Sequence, residues 1–440
     1  MSTSPQRVAN ERAAAATLEE STRRRVTARL MPYLFALYVI AYIDRINISF
    51  AGLQMTGELR FTDKVFGLGS GIFFFGYTLL AIPGALLVER WSARKTMAVT
   101  MTLWGLVASA TGFIQTSGEF YTMRFLLGVA EAGFFPGMIT YLSHWYRPGD
   151  RAKAVAVFMT AIPVSRVIAS PISAALLGVN WLDLSGWRWL LILEGVPAIA
   201  FGLASLLYLT DRPSEARWLS REERTWLSQE LQRESRAKPN GDREPLAAAF
   251  RNPHIWLLCL AYFGGSTGEY GLSLWLPKIL QRLGSFSAAK TALLTAIPSL
   301  AAIPAMLVCG WSSDRSGERR WHAAFPRLIA GVALATVAAH SLHASAALGA
   351  FSIATAGIVA AYGPLWAMPG ALLGSSAAAA SIGLINAFGN LGGFAGPYII
   401  GWSSSETGDY ASGLWVVAAA LIASGVFAAL VRLRRPRNSD

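Results

Sequence analysis

The sequence predicts an all-α membrane protein with twelve transmembrane helices in two six-helix halves. Three observations carry that prediction: an apolar composition, twelve apolar runs of spanning length, and a charged turn motif that recurs about half a chain apart. Of 440 residues, 53% are hydrophobic and 15% charged, and the mean hydropathy is +0.41, far from the balance of a soluble enzyme.

A bilayer span needs roughly 20 apolar residues. Runs of that size lie at 30–52, 66–88, 96–116, 119–142, 153–178 and 188–210, numbered here as spans 1 to 6 and forming a first half, 30–210. Spans 7 to 12 lie at 255–276, 288–311, 326–345, 346–371, 376–402 and 412–432 and form a second half, 255–432. Polar residues 1–29 precede span 1, whose apolar run exceeds a signal-peptide core, so this N-terminal tail is expected to be retained. Residues 433–440 form the C-terminal tail.

Between the halves, 211–254 is the one long polar segment inside the chain and reads as a linker. Within it Ser220 and Glu223 have capping-box spacing, and Leu219, Trp226, Leu227 and Leu231 recur at helical spacing. An amphipathic helix on the inner membrane surface is expected there.

The net charge of +12 could indicate a nucleic-acid partner, but its distribution does not. Of 38 Lys and Arg, with those at span ends assigned to the nearer side, 29 fall on the side of the termini, 6 on the opposite side and 3 well inside spans. That bias places both termini in the cytoplasm of a bacterial inner membrane. Cys259 and Cys309 each sit in an apolar run and imply neither disulfide nor metal site. His144, His254, His322, His340 and His343 are not grouped as ligands, and no nucleotide loop or nucleophile–base pair is present, so neither an enzyme nor a metal or organic cofactor is expected.

The loop after span 2 reads ERWSARK, from Glu89 to Lys95, and the loop after span 8 reads DRSGERR, from Asp314 to Arg320. Two such turns, 225 residues apart and each following a span that contains Ala-Ile-Pro, mark two related bundles. Glu89, Arg90, Arg94, Asp314 and Arg315 sit at helix ends, where charge networks can hold the inner side shut, and are assigned to a conformational gate.

A charge at the bilayer centre costs roughly 2.5–3.5 kcal/mol on insertion scales, so each should face a partner or a wet cavity. The candidates are Asp44 and Arg45 in span 1, Arg124 and Glu131 in span 4, Arg166 in span 5, Glu194 in span 6 and Glu269 in span 7. Arg124 and Glu131 are two turns apart on one face, about 10 Å along the axis. Gly128, Ala130, Ala132 and Gly133 leave room beside them for a close neighbour helix and a ligand. Glu194 reads as structural. Glu269 could be a gate residue, but its place in the outer third of span 7 favours reaching interfacial water. Asn386 and Asn390, at i, i+4 in a glycine-rich helix, fit either a helix–helix hydrogen bond or a substrate contact.

The element G-x-x-x-D-R-x-G-x-R-R from Gly310 to Arg320 resembles the signature loop of the major facilitator superfamily, with Ala85 and Glu89 as departures in the first copy. A narrower resemblance covers nearly the whole chain. AYIDRINISFAG, FLLGVAEAGFFPG, GWRWLLILEGVPA, SLWLPKIL and INAFGNLGGFAGPYIIGW are similar to the anion:cation symporter family, whose bacterial members import organic anions. TDRPSEARWL and IPVSRVIASPIS resemble its tartrate-transporter branch.

The resemblance implies proton-coupled import of a small organic anion, with protons as the coupling ion and the chain acting as a monomer. Asp44 and Glu131 match the family's proton-binding carboxylates, and Arg45 and Arg124 its substrate-side arginines. Tyr42, Tyr77, Tyr270, Trp366 and Asn386 match cavity residues. Ile162 replaces a glutamine, Gly363 and Leu365 replace hydroxyl residues, and Arg166 has no counterpart, which shifts the expectation from a polyhydroxy substrate toward one with a second negative group.

The expected division of labour follows: charged Asp44 holds Arg124, whereas Arg45 binds the substrate carboxylate. The alternative is that Asp44–Arg124 or Arg45–Glu131 are permanent structural ion pairs. Efflux by proton antiport is the competing transport function, although SRVIASPISAALLG in span 5 lacks most of the glycines of efflux relatives. A transporter-like sensor is the competing class, and no soluble segment has the length of a signalling domain.

Overall fold

The computed structural model describes residues 5–237, 250–340, 342–372 and 375–432. The C-terminal tail and part of the linker therefore lie outside the described residues, as do the side chains of Glu89 and Arg90. All twelve expected spans are helical. Span 1 is α1 (Pro5–Glu58), span 2 is α2 (Asp63–Arg90) and span 3 is α3 (Ala93–Thr111). Span 4 comprises α4 (Ser117–Glu131) and α5 (Phe134–Trp145), span 5 comprises α6 (Pro148–Met159) and α7 (Ala161–Leu177), and span 6 is α8 (Gly186–Tyr208).

After the linker helix α9 (Arg221–Ala237), span 7 is α10 (Pro253–Gly284) and span 8 comprises α11 (Ala288–Leu294) and α12 (Ala296–Ser316). Span 9 is α13 (Arg320–Ala339), span 10 comprises α14 (Ala344–Ala360) and α15 (Tyr362–Leu372), span 11 is α16 (Ser375–Thr407) and span 12 is α17 (Ala411–Leu430). The N-terminal tail is not an irregular lead-in: from Pro5 onward it continues span 1 as one helix of 54 residues.

Four spans are interrupted, and a proline stands just beyond each break. Pro136, Pro163, Pro298 and Pro364 stand a few residues beyond the breaks at Ala132, Thr160, Thr295 and Ala361. A proline has no N–H, so the carbonyl four residues earlier loses its partner and the helix is weakened there. In span 4 the break falls directly after Glu131, at the depth where chemistry is expected.

Among the described residues, nine helical stretches are long and apolar enough to cross a membrane. The other three are spans 3, 7 and 11. Span 7 carries Gly, Ser, Thr and Glu269 and span 11 carries Gly and Asn, which lowers their hydropathy. They are packed tightly against one another, and that protein contact replaces lipid. Span 2 meets span 4 equally closely: a Cβ on Gly128 would lie 2.0 Å from the Phe73 carbonyl oxygen. Any side chain at Gly128 would force these two helices apart.

In the linker, the Glu223 backbone N–H donates to Ser220 Oγ at 3.1 Å and the Ser220 N–H to Glu223 Oε2 at 2.8 Å, completing the expected capping box. Leu219 and Leu227 are buried, and Arg25 of α1 pairs with Glu223 at 2.7 Å, so α9 is fastened to the first half.

The halves touch at the end of the molecule that carries the turn between spans 1 and 2. There Asp63 accepts from Lys278 Nζ at 2.6 Å and from Ser404 Oγ at 2.7 Å, and the Lys64 N–H donates to Ser405 Oγ at 2.8 Å. A Cβ on Gly67 of span 2 would lie 2.6 Å from the Pro397 carbonyl of span 11.

Candidate functional site

Buried charge concentrates where span 1 meets spans 4 and 7. Arg45 and Asp44 project to different sides of α1, as adjacent helical residues must. Arg45 forms an ion pair with Glu131 at the end of α4. Its other terminal nitrogen lies 3.4 Å from the Tyr270 hydroxyl of span 7, in the opposite half. The guanidinium is enclosed by the rings of Tyr42, Phe73 and Tyr77, with centroids at 5.0, 5.4 and 5.4 Å. Arg45 thus sits at the seam between the halves, held by a carboxylate of its own half.

Arg124 is 2% exposed and, among the described residues, has neither an ion pair nor a hydrogen bond; its guanidinium faces the Phe73 ring at 5.1 Å. Asp44, 1% exposed, accepts from Asn47 Nδ2 at 3.2 Å through Oδ1, and its Oδ2 has no partner. These contacts match the alternative in which Arg45 and Glu131 pair, and do not include an Asp44–Arg124 pair. Asp44 and Arg124 are not within ion-pair distance of each other, and the hydrogen bond that Asp44 accepts comes from Asn47, one turn along α1. Arg45, expected to be free for substrate, is occupied by Glu131. Glu194 is buried and accepts from Ser173 Oγ at 3.1 Å, consistent with a structural tie between spans 5 and 6.

Arg166 and Glu269 form a second buried ion pair, this one between the halves. The expectation that Glu269 reaches interfacial water is therefore overturned: the helix turns its carboxylate into the protein, where Arg166 compensates the charge. Ser170 and Thr295 stand 3.3 Å apart one turn further on.

The C-terminal half contributes Trp366, packed edge-on against Tyr262 at 4.8 Å. Asn386 and Asn390 are half-buried and make no hydrogen bond among the described residues, and Asn390 Nδ2 is enclosed without a partner. The helix–helix hydrogen bond is thus not formed in this state.

The gate residues contact their own halves. The Arg94 backbone N–H donates to Asp211 Oδ1 at 2.9 Å, Asp314 pairs with Arg319 at 2.5 Å, and Arg315 lies over Trp311 at 5.5 Å. Glu89 and Arg90 lie outside the residues whose side chains are described.

Sequence reasoning missed Arg327. Taken as the edge of span 9, it is in fact fully buried, because α13 already begins at Arg320. It donates to the Ala261 carbonyl at 2.9 Å and to Ser424 Oγ at 2.8 Å, clamping spans 7, 9 and 12. Starting the span two turns earlier would have exposed it as an intramembrane charge. Asn47 carried a signal too, since it lies one turn from Asp44 on the same helix face.

A twelve-span bundle of two halves, with buried acidic and basic side chains along their seam, is the architecture of a multi-pass membrane transporter. The chain belongs to the Major Facilitator Superfamily, whose profile matches residues 34–397. It is 42% identical to a protein named "Putative tartrate transporter" from Agrobacterium vitis, over 96% of this chain and 97% of that relative. It is also 36% identical to the "Quinolone resistance transporter" of Acinetobacter baumannii, over 92% of this chain and 93% of that one. In fold it matches the crystal structure of a bacterial homologue of the human lysosomal transporter Spinster, with a TM-score of 0.72 at 19% identity, covering 92% and 95% of the two chains. The protein is a transporter of a small molecule and not an enzyme.

Proposed function

We propose that the protein imports a small organic anion of the carboxylate type by proton symport, through alternating access. The observation that carries this reading is the Arg45–Glu131 pair at the seam between the halves. Removing one member of a buried ion pair costs about 3–5 kcal/mol, so Arg45, once paired, exchanges one negative partner for another more readily than it stands alone. Glu131 supplies that partner in the empty carrier. When Glu131 takes a proton, Arg45 is released and the substrate carboxylate replaces it as a planar bidentate partner.

A proton without substrate leaves Arg45 alone, and substrate without a proton crowds two carboxylates on one guanidinium. Empty and doubly loaded states are the low-energy ones, so proton and anion assist each other's binding, as linkage requires. Arg124, buried and without an ion pair among the described residues, adds positive potential at the same site. The excess of Lys and Arg on the terminal side supports a reading in which both termini lie in the cytoplasm of a bacterial inner membrane. The end closed by Asp63 and Lys278 is then the outer one, and the gate residues, engaged within their own halves, fit a carrier open to the cytoplasm. The similarity to the Agrobacterium vitis relative favours tartrate-like acids, and the protein is read as working as a monomer.

Uptake of labelled tartrate into proteoliposomes tests this reading. Accumulation should require an inward proton gradient and collapse with a protonophore. Gradient-independent equilibration would overturn symport. Efflux by antiport is the second reading, favoured by the Acinetobacter baumannii relative; in the same vesicles it predicts that a proton gradient drives substrate the opposite way.

A further inference from the structure

The pair Arg166–Glu269 lies beside a cavity of about 30 Å³ between the halves, on the closed side of Arg45. That volume holds a hydroxyl group or a water. Beyond the ion pair, its polar lining is Ser49, Ser170, Ser273, Thr295, Ser299 and Thr355. Four of these hydroxyls already donate their only proton to carbonyls of their own helices. Ser49 donates to Ile46 at 2.6 Å, Ser170 to Arg166 at 3.0 Å, Thr295 to Ala292 at 2.6 Å and Thr355 to Phe351 at 2.8 Å. A hydroxyl with its proton so used offers only acceptor lone pairs to a guest.

The same cavity has one charged wall, the Arg166–Glu269 pair. Arg166 is buried, its Nε has no partner, and Ser273 Oγ is likewise unpartnered. A guest matching this lining carries a carboxylate for the guanidinium fork and a hydroxyl that donates to the serine and threonine oxygens. Those groups occur together at the end of an α-hydroxy acid. The site lies next to Arg45 in sequence and space, because Ile46 and Ser49 line it and Tyr270, adjacent to Glu269, contacts Arg45.

We propose that Arg166 and the hydroxyl-lined cavity form a subsite for the distal hydroxycarboxylate end of a dianionic hydroxy acid, with Glu269 holding that carboxylate's place in the empty carrier. One carboxylate engages Arg45, and the other displaces Glu269 from Arg166 while its neighbouring hydroxyl enters the cavity. This inference rests on the anion-import reading above and extends it to the substrate class.

Calorimetric titration of the purified full chain with tartrate, succinate and lactate tests it. Wild type should prefer tartrate over both succinate and lactate by about tenfold or more, since a site built to bond a substrate's polar groups rejects analogues lacking them. In the double variant Arg166→Gln/Glu269→Gln, which removes both charges together and so spares the fold an unpaired ion, the tartrate-over-lactate preference should fall toward unity. Glu269→Gln alone, relieving the internal competitor, should tighten tartrate several-fold. A preference that persists in the double variant, or a wild type that binds lactate and tartrate alike, overturns the subsite while leaving anion import standing. Failure of all three acids to bind wild type overturns both readings.

Discussion

The two buried arginine–glutamate pairs are chemically alike and mechanically opposite. Arg45–Glu131 joins spans 1 and 4 inside one half, whereas Arg166–Glu269 joins spans 5 and 7 across the seam. The first can persist through any rigid-body motion of the halves, so only chemistry, a proton or a competing anion, opens it. The second must part whenever the halves separate at that end. Its separation admits water to both ions, so the penalty for an isolated buried charge is relieved as it arises. Similar burial therefore does not mean equal role: on the proposed reading one pair responds to ligands, and the other responds to conformation as well.

The largest expected effect comes from forbidding the seam to part. Ser170→Cys with Thr295→Cys, in a chain whose Cys259 and Cys309 are replaced by alanine, brings thiols to a cross-half contact of 3.3 Å between the present hydroxyls. Oxidation should abolish transport, and reduction should restore it. Full transport by the oxidised, cross-linked protein would show that the halves need not separate there.

Glu131→Gln should next abolish proton-driven accumulation while substrate exchange survives in part, because the amide mimics the protonated acid and leaves Arg45 open to the anion. Accumulation at the wild-type level would remove Glu131 from coupling. Asp44→Asn sharpens the contrast: its carboxylate already rests on Asn47 and does not hold Arg124, so its loss should affect pH-dependent binding less than loss of Glu131. A larger effect from Asp44→Asn would return the coupling role to Asp44.

Arg124→Ala should weaken anion binding by about 2–5 kcal/mol, the usual consequence of losing a charge-assisted contact in a dry site. Lysine should rescue poorly, lacking the fork. Unchanged affinity in the folded variant would make Arg124 a structural cation. The smallest effect belongs to the rim. Lys278→Ala leaves Asp63 its bond from Ser404 and should shift the balance of conformations away from closure at this end, read as faster labelling of a cysteine placed near Ser404.

Much of the fold was legible because membrane insertion is a local property. Each span needs only its own apolar length, and the capping box at Ser220 involves neighbours three residues apart. The intramembrane charges were legible for the same reason, as isolated exceptions in apolar runs; Arg327 escaped only because a span boundary was drawn two turns late. Partnership was not legible. Arg166 and Glu269 are 103 residues apart, and Glu131 rather than Asp44 became the carboxylate at the arginine seam because helix crossing and depth bring it there. By itself the sequence determined which groups would be costly to bury, since that depends on the side chain and its span; only the tertiary structure decided which of them compensate one another, since a charge pairs across space with whatever packing places within about 3 Å.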